Sequence, residues 1–512
     1  MTKYIEDKLP LITAWVVLSI IIIIGITKSS TILGGDQSLF VVIAQLLDSG
    51  KILYKDIFDY KQPGIYLFYL IAGKTIGWSD VSIHIFELGY WVVFSLTLFF
   101  VIRKYSLFHS DYFNSLLPFF IVGVYYCNAL SFHLTQLEAI IIFPLFLIVW
   151  LLDKAYKAEN KNNLFVTYFA IGILIGIVLL SKLVFSPIIF SFLLIHFIFT
   201  LKSKNVTYII SKQILPMIVG FVIPLSIFLF YVFIHRIENL VFDIFFKIPT
   251  SVVALEDQVD LNRLISSIKW FLRKMSLLLI LASIGVFFFL KKESHFLSLI
   301  VAWGVIGFLV ILMQKTSWWS YHFQLLYLPV GIFAAMGLDY ILYHLLRYTQ
   351  PSTQLIKGLL IITICYFFLH KQFNTFWHHS FGSQNYTKLI SYDYAKDDVA
   401  DIIKVLKEGD TMYVGGNPRM YLLASRLPEL SSNGWILEYY LDFQWERFYH
   451  EFKNKPPTYL FINHDFQSDT KHSGRYDYHT LIQSKNEKLW QLIVSSYEEY
   501  ITVENGKWYK KN

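Results

Sequence analysis

Residues 11–27 read LITAWVVLSIIIIIGIT, an unbroken apolar run without a charge. A helix of that length reaches across about 30 Å of hydrocarbon, so the run is expected to span a bilayer. Residues 165–180, FVTYFAIGILIGIVLL, repeat the pattern. Comparable runs continue on both sides. Together, 11–27, 81–102, 113–130, 138–152, 164–181, 184–201, 214–234, 275–290, 296–313, 322–345 and 356–370 predict eleven spanning helices. Composition agrees. Only 16% of the 512 residues are charged, against about 25% in soluble chains, and the mean hydropathy is +0.50. The first run lacks a small-residue cleavage site and is expected to stay as a helix.

Basic loops set the orientation. Arg103 and Lys104; Lys154, Lys157 and Lys161; Lys202, Lys204 and Lys212; Lys291 and Lys292; and Arg347 alternate with turns holding little beyond Lys182 and Lys315. The positive-inside bias places the N-terminus in the cytoplasm, and an odd number of spans places the C-terminus outside. Two long segments then fall on the outer face. Residues 28–80 hold an amphipathic helix near 38–48, a polar stretch at 51–62 and a short apolar helix at 64–76, which is expected to lie in the interface. Residues 235–274 are polar enough to form a lid.

From about residue 371 the composition turns soluble. Strands are expected at 411–415 and 458–463, helices at 397–407 and 418–425, and a last edge strand at Trp508-Tyr509-Lys510. The predicted fold class is an all-α polytopic membrane bundle, residues 1–370, with a small extracytoplasmic α/β domain, residues 371–512. Gly415-Gly416 is too little for a dinucleotide fingerprint. Cys127 and Cys365 fall inside apolar runs and read as packing residues. The net charge of +7 is accounted for by topology signals, and no basic run with aromatics points to nucleic acid.

Charge at membrane depth is costly and marks function. Asp36 follows Gly34-Gly35 just after the first span. Asp56, Asp59 and Lys61 come next in Tyr54-Lys55-Asp56-Ile57-Phe58-Asp59-Tyr60-Lys61-Gln62-Pro63-Gly64. Glu138 opens span four, Lys182 occupies the turn between spans five and six, and His322 opens span ten. The predicted topology puts all of them on the outer face.

These residues resemble the GT-C superfamily of polyprenyl-phosphate-dependent glycosyltransferases, nearest the protein O-mannosyltransferase and lipid A aminoarabinose transferase group. The resemblance is carried by Gly35-Asp36-Gln37, the Tyr54–Gly64 stretch, Gln136-Leu137-Glu138-Ala139, Leu180-Ser181-Lys182 and Tyr321-His322-Phe323 with Pro329. It implies Asp36 as catalytic base and Lys61 as a donor-phosphate contact, with Gln62 standing between that lysine and Pro63. Gln37 stands where many relatives have Glu. The basic residue often found early in span two is missing, with His84 the nearest candidate. Lys182 and His322 are expected to join Lys61 at the donor phosphate, and Asp56, Asp59 and Glu138 to position substrate.

The residue types suit the chemistry. An acceptor hydroxyl loses its proton as it attacks, and a carboxylate can take it. The departing polyprenyl phosphate gains charge, which fixed Lys or His donors stabilise. No metal or other cofactor is required in principle, and no ligand spacing demands one. The expected function is inverting transfer of a sugar from a polyprenyl-phosphate donor to a hydroxyl of an envelope lipid, glycan or protein, in the cell membrane; the donor lipid would be undecaprenyl phosphate in a bacterial host. Bland readings stand beside each role. Asp36 can cap a turn, Asp56 and Asp59 can be solvated, Lys61 can anchor a helix to lipid, Glu138 can answer a helix dipole, Lys182 can snorkel and His322 can pack. The rival class is a transporter or flippase of a lipid-linked substrate. That class favours repeated halves and midplane charges, neither of which the sequence shows.

Overall fold

A computed structural model describes residues 2–158, 164–254, 261–289, 294–314, 318–346, 354–381, 393–464 and 477–512. Lys161, Lys291, Lys292, Lys315 and Arg347 lie outside the described residues, as do Asn385-Tyr386-Thr387, a triplet that matches a glycosylation sequon of the kind common by chance, and the side chains of His378-His379, a pair with no further metal-ligating residues near it in sequence. Among the described residues nine helices are long and apolar enough to cross a membrane. They are Lys8–Lys28, Asp80–Ile102, Leu137–Lys157, Leu164–Ser181, Leu183–Leu201, Val206–His235, Leu261–Phe289, His295–Met313 and Ser320–Leu345. Many are rich in Ile and Val, mediocre helix formers in water. In lipid the backbone must satisfy its own hydrogen bonds, and the helix prevails over propensity.

The two other expected spans take different forms. Residues 113–130 hold a helix Tyr112–Pro118, a π-helical turn Phe119–Gly123 and a helix Val124–Asn128. Pro118 has no N–H for the ladder, and the wider turn starts at the next residue. Residues 356–370 fall within the helix Gln354–Phe381, whose apolar core is the shorter Gly358–Phe367. The segment 235–274 also departs from a loop. It holds helical turns from Glu238 to Ala254, and the Leu261–Phe289 helix begins well before the expected residue 275. Ser267, Phe271, Met275 and Leu278 line one buried face of that helix, while Lys269 and Arg273 stay exposed.

The chain forms two compact units. The first comprises Met1–Thr31, Ser79–Leu229 and Glu256–Ile390. Its helices Leu261–Phe289 and Tyr327–Leu346 meet backbone to backbone. A Cβ on Gly285 would stand 2.1 Å from the Phe333 carbonyl oxygen, and one on Gly337 2.0 Å from that of Leu281. A buried polar chain ties four further helices. His295 lies 3.1 Å from Asp153 and 3.2 Å from His196, and His196 lies 3.1 Å from the Tyr168 hydroxyl.

The second unit comprises Ile32–Trp78, Phe230–Leu255 and Ser391–Asn512. The expected helices near 38–48 and 64–76 are Gly35–Asp48 and Gly64–Thr75. The C-terminal sheet has strands β1 (Met412–Gly415), β2 (Tyr459–Asn463), β3 (Tyr497–Val503) and β4 (Gly506–Lys511) in the order β1-β2-β4-β3. β1 pairs parallel with β2, Met412 opposite Tyr459, and β4 pairs antiparallel with β2, Trp508 opposite Phe461. The expected last edge strand is therefore interior. β3 forms the edge on that side, opposite β1, and its exposed Glu498 and Glu499 hid it from a search for apolar runs.

Candidate active site

Asp36 sits in the first turn of Gly35–Asp48, where a negative charge is favoured by the helix dipole. Neither glycine before it needs a positive φ, and Gly34 is extended at φ −77°. Gly35 instead makes room for an aromatic ring, because a Cβ there would lie 2.0 Å from Cζ2 of Trp435. Gln37 is fully buried, and its Oε1 accepts the Gly34 N–H at 2.6 Å. With that bond the side chain closes the helix start.

The Asp36 carboxylate accepts the Trp435 indole N–H at 2.9 Å, and the Lys61 ammonium stands 3.9 Å from the same oxygen. Lys61 also lies 3.8 Å from Asp59 and 5.0 Å above the Phe40 ring. Asp59 is not a solvated loop residue. It is fully buried and accepts the Tyr66 hydroxyl at 2.6 Å and the Tyr60 N–H at 2.7 Å. Burial, and then the Asp59 charge, hold the Tyr66 hydroxyl protonated well above its ordinary range. The Tyr54 hydroxyl donates to the Lys61 carbonyl at 2.8 Å and fixes the backbone that carries the ammonium. Asp56 serves its own turn, accepting the Ile52 N–H at 2.7 Å. Of the four ionisable candidates in this unit, Asp36, Asp59 and Lys61 thus form one cluster, while Asp56 bonds locally. Sequence reading missed Trp435 and Tyr66.

Within the first unit the other three candidates meet. The Lys182 ammonium donates to Glu138 at 2.6 Å and to Gln314 at 2.7 Å. His322 Nε2 stands 3.5 Å from the same Glu138 oxygen. Each group comes from the end of a helix: Glu138 opens one, Lys182 follows Leu164–Ser181, Gln314 ends His295–Met313, and His322 lies in the turn Ser320–Leu326. Glu138 and His322 are buried, while a quarter of the Lys182 side chain is open to solvent. An ammonium with two acceptors and one partly open side can take an anionic oxygen. Gln314 was not singled out from sequence. His84 is buried beside Glu87, their nearest atoms 3.5 Å apart. Glu87 accepts in addition from the Tyr125 hydroxyl and, at 2.8 Å, from the Thr135 N–H.

Among the described residues one group has metal-ligand spacing: His464, Asp477 and His479 each place a ligand atom within 4.8 Å of the others. Asp477 there also caps the helix Tyr478–Lys485, accepting the Thr480 N–H at 3.1 Å, and faces His464 Nδ1 at 3.1 Å. Burial works against its ionisation, but the Thr480 and His464 donors outweigh it and hold the carboxyl below its ordinary value. Burial, and then the neighbouring His464, lower the basicity of His479.

No family model matches the chain, and no curated protein matches it in sequence. Solved structures do match. The structure of ArnT from Cupriavidus metallidurans bound to undecaprenyl phosphate aligns over 98% of this chain and 97% of its own, with a TM-score of 0.60 at 10% identity. The apo form of that protein gives 0.59 at 11%, over the same shares of the two chains. The oligosaccharyltransferase of Archaeoglobus fulgidus, tethered to an acceptor peptide containing the NVT sequon, gives 0.51 at 12% identity, over 97% of this chain and 74% of its own. The chain has the GT-C fold. Spanning helices and C-terminal sheet alike fall inside the aligned share, so the GT-C likeness is not confined to the apolar part.

Proposed function

We propose that the protein is a GT-C glycosyltransferase of the cell membrane that moves a sugar from a polyprenyl-phosphate donor to an acceptor hydroxyl, with inversion. The observation that carries this reading is the Asp36 carboxylate, held at a helix start by an indole N–H with a lysine beside it. Asp36 takes the acceptor proton as the acceptor oxygen bonds to the anomeric carbon. The bond from that carbon to the phosphate oxygen breaks, and its electron pair leaves on the polyprenyl phosphate. Lys61, Lys182 and His322 are assigned donor-phosphate contacts, which stabilise the charge gained on departure. Asp59 and Glu138 hold these cations in place, and Asp56 shapes the outer loop. The proton goes to a carboxylate and the charge to fixed cations, so these residues supply the chemistry without a metal or cofactor.

The donor class is supported by the undecaprenyl phosphate bound in the ArnT structure, and the acceptor is a hydroxyl of an envelope lipid, glycan or protein. Residues 1–370 are assigned the catalytic membrane part and 371–512 an extracytoplasmic domain, following the basic-loop bias. The test is Asp36→Asn, assayed as purified protein with a matched donor and acceptor and with a separate donor-binding titration. The expected result is normal donor binding and transfer slower by at least about a hundredfold. Wild-type turnover would remove Asp36 as the base.

A further inference from the structure

Trp435 lies 399 residues beyond Asp36 in sequence, yet the two share a hydrogen bond of 2.9 Å. The backbone that carries the indole is held from several sides. Its backbone N–H donates to Asn433 Oδ1 at 3.0 Å, and its carbonyl lies 3.0 Å from the Tyr478 hydroxyl. The preceding Gly434 is pressed onto β1, where a Cβ would stand 1.9 Å from the Val414 carbonyl oxygen. The same segment is fastened to the outer loop. The Phe58 N–H donates to the Ser431 carbonyl at 2.8 Å, and Arg447 reaches both the Lys55 carbonyl, at 3.0 Å, and the Ser431 hydroxyl, at 3.1 Å. The ring itself fills the space over Gly35 that any other residue would claim.

These contacts point one N–H at one carboxylate oxygen from a rigid mount. A donor aimed at a carboxylate fixes its rotamer. A fixed rotamer is what a general base needs before the acceptor arrives.

We propose that Trp435 is a positioning residue for the base: its indole N–H holds the Asp36 carboxylate in one orientation, and so makes the C-terminal sheet part of the catalytic apparatus. This rests on the assignment of Asp36 as base. Trp435 touches neither sugar nor phosphate in this role and acts through Asp36.

The test is a double-variant cycle in kcat and KM for the wild type, Trp435→Phe, Asp36→Asn and the pair, in the full-length protein. Phe keeps an aromatic ring on the same mount but loses the N–H together with the outer ring carbons over Gly35, and the cycle separates the two losses. Trp435→Phe is expected to lower kcat by about tenfold with KM within about threefold of wild type, and to slow the residual rate of Asp36→Asn by less than about twofold, because that rate no longer uses the base. Gly35→Ala, which drives a methyl into the indole, is expected to behave like Trp435→Phe. An unchanged kcat in Trp435→Phe, with Asp36→Asn slowed at least about a hundredfold, would overturn the role of Trp435 and leave the base in place. The same tenfold loss in both backgrounds would overturn it too, because ring packing would then be the whole effect. Full activity in Asp36→Asn would remove the base and this proposal together.

Discussion

Replacing Lys182 by Ala removes the ammonium that stands 2.6 Å from Glu138, a carboxylate with 2% of its side chain exposed. What stays near that charge is His322, 3.5 Å away. Breaking a buried pair from one side costs about 3–5 kcal/mol because the remaining charge is uncompensated. Lys182 is a quarter exposed, so water reaches its side of the pair and the low end, about 3 kcal/mol, applies. The loss of stability therefore belongs mainly to Glu138, and Glu138→Gln in the Lys182→Ala background should recover most of it. Donor binding should behave differently. A charge-assisted bond to phosphate is worth about 1.5–3 kcal/mol, or about 10- to 150-fold in affinity, and the second substitution does not return it. The assay pairs denaturant or thermal unfolding in detergent with titration of undecaprenyl phosphate, for both single variants and the double. The expected pattern is a stable double variant that still binds the lipid phosphate weakly. A double variant that binds like wild type would show that Lys182 only balances Glu138, and its assignment to the donor would fall.

Other consequences are open to direct measurement. Tyr66→Phe removes the 2.6 Å donor to buried Asp59; a loss of about 1.5–3 kcal/mol in unfolding free energy is expected, and no loss would show that water replaces the hydroxyl. With Cys127 and Cys365 replaced, single cysteines at Lys157 and Ser484 should label from opposite sides of intact cells; an impermeant reagent reaching both would refute the topology. The C-terminal domain should lose stability on acidification. His479 and Asp477 both bind protons less readily folded than unfolded, so stability rises with pH across their titrations. The His479 contribution is present above about pH 6.5 and is lost as pH falls through that value and below. His479→Gln should flatten this part of the curve, and an unchanged slope would exclude the residue as its cause.

The spanning helices were legible because hydrocarbon imposes a length and removes charge, and the 11–27 and 164–181 runs carry both marks. Where the rule is relaxed the reading slipped. Leu261–Phe289 carries Arg263, Lys269, Arg273 and Lys274 in its first half, and those charges made half a helix look like a loop. Tyr112–Asn128 had the right composition, and only Pro118 signalled that its ladder would widen. In the C-terminal sheet β1 and β2 were visible as buried apolar runs. β3 was not, since an edge strand with outward glutamates has no such run.

The candidate site divides along a different line. Glu138, Lys182 and His322 could be named singly because each is an ionisable group at the end of an apolar run. Their meeting could not be read, since Lys182 and Glu138 are 44 residues apart and no periodicity joins one helix end to another. Trp435 lies further still from Asp36, inside a segment whose composition looks merely soluble. The signal that existed was at the other end of the contact. Glycine in the first turn of a helix forgoes up to about 1 kcal/mol relative to alanine, and Gly35 stands there without the positive φ that would require it. A glycine kept against propensity, where no turn demands it, marks a place that another part of the chain approaches closely. Here the approaching group is the indole whose N–H meets the neighbouring carboxylate. The same inference runs forward. A methyl at residue 35 meets that ring at 2.0 Å, so Gly35→Ala should cost activity as Trp435→Phe does, about tenfold, without a matching loss in Asp36→Asn.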